Sequence, residues 1–174
     1  VTDMSYMFYG CTNMTSIDLS TWVLYGQNNK VKSSAMFYDC RILKTIYVGN
    51  EWDQKRFIAN SDMFTGCVKI MGASGLTYQN AVTSPLAGAT NYAYVGAKGY
   101  LSARNWVCGG VYWSLDGAGE LVLTPISGKT GDLASFGSAN ASTPPWQDCK
   151  ANIREFRVAE GCTVGVVKGG SLAN

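Results

Sequence analysis

Over residues 1–72 the apolar positions repeat one motif three times. "MFYGCTNMTSIDLS" runs from Met7 to Ser20, "MFYDCRILKTIYVG" from Met36 to Gly49, and "MFTGCVKIMG" from Met63 to Gly72. With the cysteines aligned, Cys11, Cys40 and Cys67 stand 29 and then 27 residues apart. Met14, Leu43 and Ile70 each follow their cysteine by three residues, and the pairs Ile17/Leu19 and Ile46/Val48 follow by six and eight. Trp22 and Trp52 follow by eleven and twelve. Such a period is that of repeat architectures, in which a unit cannot bury its apolar face alone and must stack on its neighbours.

Within each unit the pattern predicts two elements. Met4, Met7, Phe8 and Cys11 are three and four apart, which predicts a short helical turn with one apolar face. "TSIDLS" and "KTIYVG" alternate with a period of two, which predicts short strands that send Ile17, Leu19, Ile46 and Val48 to one side. Stacking then places the strands in a narrow sheet and the cysteine at an inner corner, where a free thiol packs as a small hydrophobe.

The pattern changes after the third cysteine. The Gly-, Ala- and Tyr-rich stretch around Tyr78, Tyr92, Tyr94 and Tyr100 lacks clean alternation and is expected to cap the open end of the array, because terminal units of stacked repeats are atypical. Further on, "GVYWSLDGAGELVLTP" sets Asp116-Gly117 between two apolar runs, a hairpin signal. A Gly/Ser/Ala-rich loop follows, then Trp146 and a strand with Ile153, Phe156 and Val158, closed by a turn at Glu160-Gly161. The expected fold class is therefore β-rich α/β. A short leucine-rich-repeat-type solenoid of short strands and helical turns with its closing cap occupies residues 1–103, and a small β-rich unit with a hairpin occupies 104–174.

Composition narrows the chemistry. The 174 residues are 47% apolar and only 15% charged, with 14 basic against 12 acidic side chains. That balance leaves no electrostatic footprint for nucleic acid or anionic lipid. No apolar run approaches the roughly 18 residues of a membrane span, no signal-peptide pattern opens the chain, and the first residues already lie inside a unit, as expected of an excised fragment. Histidine is absent, which removes the usual activator of serine and cysteine nucleophiles and a usual zinc ligand. The six cysteines stand singly, with no CxxC pair. The repeated trio is expected as buried free thiols; Cys108, Cys149 and Cys162 could supply one bridge, whose pairing stays open. Asp116 and Glu120 flank a turn and are expected to be solvated, and the sequons at Asn13 and Asn140 are short enough to arise by chance. No catalytic residue, cofactor or metal is expected, and the chain is read as a non-enzyme.

The unit "VTDMSYMFYGCTNMTSIDLSTW" resembles the repeat of BspA-like leucine-rich-repeat surface proteins of bacteria, whose copies look like "VTDMSxMFxGCxxLTSLDLSxW". "MGASGLTY" and "GYLS" are similar to the closing segment of such arrays. Cys108, Gly109, Trp113, Leu115, Gly119, Leu121, Pro145, Trp146, Ile153, Val158, Gly161 and Gly165 resemble the β-rich segment found in the same class. The resemblance implies a right-handed coil on a secreted or cell-surface protein that mediates adhesion, with host or extracellular-matrix proteins such as fibronectin as partners. It carries no ligand-binding positions, since its motif residues are structural.

Any ligand face is therefore expected at the polar positions of the stacked strands: Ser16, Asp18 and Ser20 in the first unit, Thr45, Tyr47 and Gly49 in the second. Tyr47 places a large, rigid ring on the outward side, unless it packs on a neighbouring unit or on Trp52. Trp22 and Trp52, which repeat, are expected in the core. Two functions follow: an adhesion module that presents this face to a protein, or a carbohydrate-binding or spacer segment of a larger surface protein, favoured by an exposed aromatic row.

Overall fold

The computed structural model describes residues 1–24, 30–78, 90–134 and 143–162. Asn140, Gly165 and residues 79–89 of the expected cap lie outside the described residues.

The segments expected as helical turns fold as consecutive β-turns. In the first unit the amides of Met7, Tyr9, Cys11 and Met14 bond back three residues, to Met4, Tyr6, Phe8 and Cys11, whereas those of Met4, Tyr6, Phe8 and Gly10 bond outward to carbonyls of Lys32, Ser34, Met36 and Tyr38. A helix needs every amide to bond back within its own segment. Here alternate amides serve the next unit instead. Left-handed residues five and one before the cysteine reset the chain direction: Tyr6 and Gly10 in the first unit, Ala35 and Asp39 in the second, with Gly66 before Cys67 in the third. The second unit repeats the scheme, with Phe37 and Asp39 donating to Met63 and Thr65.

Six strands follow in chain order across one sheet: β1 (Ser16–Leu19), β2 (Thr45–Val48), β3 (Ser102–Cys108), β4 (Val111–Leu115), β5 (Glu120–Pro125) and β6 (Glu155–Val158). The pairs β1–β2, β2–β3 and β5–β6 are parallel, each needing a long crossover; β3–β4 and β4–β5 are antiparallel. The β4–β5 hairpin turns at Asp116–Gly119, closed by the Gly119 amide donating to the Asp116 carbonyl. Gly119 is left-handed there, and a Cβ would run into the Asn152 carbonyl, so only glycine fits.

This architecture corrects the expected fold class. The chain is not a leucine-rich-repeat-type solenoid with helical turns: a single mixed sheet runs from β1 to β6, and among the described residues there is little helix, with short 3-10 segments at Gln54–Arg56, Thr90–Tyr92 and Gln147–Asn152. The β-rich character expected after residue 104 is present in part, in the β3–β4–β5 meander.

Beneath the sheet lie two apolar clusters. The first gathers the repeated positions Met36, Phe37, Cys40, Leu43, Ile46, Met63, Phe64, Cys67 and Ile70 with Trp52 and Tyr100, all buried. Its spine is a ladder of rings, Phe8 on Phe37 at 5.4 Å and Phe37 on Phe64 at 5.7 Å, both nearly parallel. Tyr100 closes it edge-on to Phe64 and stacks on Tyr92, while the Trp52 indole donates to the Ala93 carbonyl. The second cluster centres on Trp113, Leu115, Leu121, Leu123 and Trp146. Val95 and Trp106 touch both clusters, and the buried Asn152 amide donates to the carbonyls of Ala73 and Gly117.

Candidate binding face

The period of two in β1 and β2 sends Ile17, Leu19, Ile46 and Val48 inward and leaves Ser16, Asp18, Thr45 and Tyr47 on the opposite side of the sheet. Register brings Ser16 beside Thr45 and Asp18 beside Tyr47. Ser20 lies just past β1, its amide bonded to the Asp18 carboxylate.

Arg104, which sequence reasoning did not single out, joins these residues into a site. Between Ala103 and Trp106 strand β3 carries one residue more than β4 opposite it, a bulge. At the bulge Asn105 is left-handed, and its amide donates to the Ser114 hydroxyl. Arg104 there lays its guanidinium 3.6 Å above the centre of the Tyr47 ring and donates to Asp18 at 2.6 Å. On the other side the Tyr47 hydroxyl donates to Asp116 at 3.2 Å. The result is a chain of four side chains, Asp18–Arg104–Tyr47–Asp116, crossing from β1 to the β4–β5 turn.

A groove of about 220 Å³ lies along this chain, lined by Tyr47, Arg104, Asn105, Ser114, Asp116 and Glu120 among others. Its far wall is held by the Arg157–Glu120 ion pair. Burial, and then the Asp116 carboxylate, push the Tyr47 hydroxyl above its ordinary pKa, so it stays a neutral donor. Burial alone would raise the Asp18 carboxyl, but hydrogen bonds from Ser20 and the Arg104 guanidinium outweigh it and hold that carboxyl below its ordinary value. Both partners of the Arg104–Asp18 pair are over a third exposed, so the pair stabilises the fold by only about 0.2–1 kcal/mol. Its geometry is ordered, yet its bonds cost little to exchange for those of a ligand.

Arg104 covers one face of the Tyr47 ring and Asp116 accepts from its hydroxyl. Asp116 and Glu120 share the groove, each engaged by a neighbouring side chain. Trp52 is buried as expected, whereas Trp22 is half-buried at the edge of the first unit.

The thiols form a second regular series. Cys40 donates to the Phe8 carbonyl at 3.1 Å and Cys67 to the Phe37 carbonyl at 3.0 Å, each reaching back one unit. The adjacent Cys40 thiol and burial both push Cys67 up, which keeps it neutral. All six cysteines are free, Cys11 and Cys162 half-buried and the rest buried. Among the described residues no group of three or more His, Cys, Asp or Glu could hold a metal ion, and no helix is long and apolar enough to cross a membrane.

A row of tyrosines marks the turn side of the first two units. Tyr9 stacks on Tyr38 at 5.2 Å and Tyr6 leans on Tyr9 at 5.9 Å. Comparison with known proteins adds no relative: no protein-family model matches the chain, and neither a curated protein nor a solved structure matches it.

Proposed function

We propose that the chain is a non-enzymatic binding module that works outside the cell and presents the outward side of its sheet to a host or extracellular-matrix protein. The observation that carries this reading is the Asp18–Arg104–Tyr47–Asp116 chain beside its groove. Tyr and Arg are the residue types that most often dominate protein interfaces, because they offer rigid area with donors at the tip. Here the two are held together before any partner arrives, which lowers the ordering cost of binding. The groove is flanked by one guanidinium and two carboxylates, which suits a polypeptide with mixed charge.

A carbohydrate ligand has weaker support. Sugars stack on free ring faces, but Arg104 covers one face of Tyr47, and the exposed rings of Tyr6 and Tyr9 lie on the turn side of the first two units and do not line the groove.

The test is surface-plasmon binding of the 174-residue chain to immobilised fibronectin and to a glycan array. Saturable binding to the protein that falls at least about tenfold in Arg104→Ala and in Tyr47→Ala supports the reading. Binding that is indifferent to both substitutions, or confined to glycans, rejects it.

A further inference from the structure

The repeated cysteines stand in one file, and its spacing bears on their chemistry. The Phe37 and Asp39 amides clamp the second unit to the third through the Met63 and Thr65 carbonyls, which keeps equivalent residues in register. The nearly parallel rings of Phe8, Phe37 and Phe64 are 5.4 and 5.7 Å apart, and this distance measures the rise from one unit to the next. Cys40 and Cys67 each stand three residues after a ring of that ladder. A rise of this size falls within the Cα separations that a disulfide spans, about 4.4–6.8 Å.

The two sulfurs also meet across the boundary between units. Cys67 Sγ reaches back to the Phe37 carbonyl at 3.0 Å, takes a bond from the Cys40 amide and lies in hydrogen-bond contact with the Cys40 thiol. Cys40 Sγ makes the same reach toward the Phe8 carbonyl and the Cys11 amide. Both thiols are fully buried. The other buried cysteines are placed differently: Cys108 takes a bond from the Ala134 amide, and Cys149 lies beside Asp148.

We infer that Cys40 and Cys67 are a cross-linking site: in an oxidising medium they join as a disulfide that staples the second unit to the third. The loop so closed contains β2 and with it Tyr47 of the binding face. Thiols this deeply buried are inert toward bulky reagents, so the bond forms while the core is still closing, by exchange with a small disulfide such as oxidised glutathione. The Cys40 thiolate attacks one glutathione sulfur and releases the other as a thiolate. The Cys67 thiolate then attacks the Cys40 sulfur of that mixed disulfide and releases the second glutathione. Two protein thiols are oxidised, one disulfide is reduced to two thiols, and the two protons that leave the cysteines go to the two glutathione thiolates. The inference stands on the file of thiols and is independent of what the sheet face binds.

The test refolds the reduced, denatured 174-residue chain in a buffer of oxidised and reduced glutathione and, in parallel, in a phosphine reductant. Remaining thiols are then alkylated under denaturing conditions and the linked peptides mapped by mass spectrometry. The principal link expected is Cys40–Cys67, with Cys11 alkylated. The oxidised protein should melt about 5–10 °C above the reduced one, the effect of closing a loop of this length in a chain of this size. Cys40→Ala and Cys67→Ala should each remove that difference and Cys11→Ala should keep it; comparing oxidised with reduced protein within one variant cancels the cost of changing a buried position. The peptide map of the unaltered chain decides the matter even where a variant fails to fold. The inference is overturned if Cys40 and Cys67 are both recovered alkylated after oxidative refolding, if the principal link joins Cys40 to Cys11, or if the melting difference persists in Cys67→Ala.

Discussion

Removing the central ring of the phenylalanine ladder measures how strongly the stacked units depend on one another. Phe37 is fully buried between Phe8 and Phe64, and backbone bonds clamp the flanking units, Phe8 to Met36 and Phe37 to Met63. The site therefore has little freedom to collapse around a cavity, which places Phe37→Ala at the upper end of the usual range, about 4–5 kcal/mol. Phe8 is half-buried, with one stacked partner and a tilted contact to Trp22, so Phe8→Ala should cost about 1–2 kcal/mol. Phe37→Leu keeps most of the volume and should cost about 1–1.5 kcal/mol. The assay is equilibrium urea unfolding followed by tryptophan fluorescence and circular dichroism, with a matching thermal shift of about 8–20 °C for Phe37→Ala. If Phe37→Ala and Phe8→Ala come out within about 1 kcal/mol of each other, the ladder does not couple the units and the reasoning fails.

Three further outcomes are expected. In an NMR titration the Asp18 carboxyl titrates below its ordinary range and moves up in Arg104→Ala; because its folded pKa is depressed, the stability it contributes is present above the ordinary carboxylate pKa and lost as pH falls through the folded value, and an Asp18 unmoved by Arg104→Ala contradicts the pairing. Asn152→Ala strands the Ala73 and Gly117 carbonyls and should lower the unfolding free energy by about 2–4 kcal/mol; a loss under about 0.5 kcal/mol means that these bonds do not hold the Gln147–Asn152 segment against the β4–β5 turn. Burial and the neighbouring Asp148 push the Cys149 thiol up to about 11, so at pH 8 about one molecule in a thousand carries the thiolate. Site-resolved mass spectrometry should then find Cys11 and Cys162 alkylated well before Cys149, and the reverse order speaks against the burial described.

The sheet was more legible in the sequence than the turns were. Strands β1 and β2 and the β4–β5 hairpin follow from period-two alternation and an Asp-Gly turn, signals that depend only on neighbours along the chain. The helical reading of Met4, Met7, Phe8 and Cys11 failed because consecutive β-turns share the three-and-four spacing of a helix. The residues that break the helix there, Tyr6, Ala35 and Asp39, are left-handed without being glycine, so composition hides them. Continuity of the sheet rests on the Tyr47–Ser102 and Val48–Ala103 pairings, contacts between distant stretches that no local pattern reports. Half of the candidate face was visible as the outward positions of β1 and β2. Arg104 was not, because the bulge after Ala103 shifts the alternation of β3; the "SAR" run at the mouth of that strand, with Ala103 turned inward, was the one available signal.

The most direct measurement of the central claim is a cross-linking footprint. With a photoreactive group placed at Thr45, on the rim of the outward face, and a second at Ile58, an exposed position away from it, the chain is bound to fibronectin and irradiated. The account predicts adducts from Thr45 that disappear in Arg104→Ala, and none above background from Ile58. Adducts from Ile58 alone, or Thr45 adducts that persist without Arg104, would contradict it.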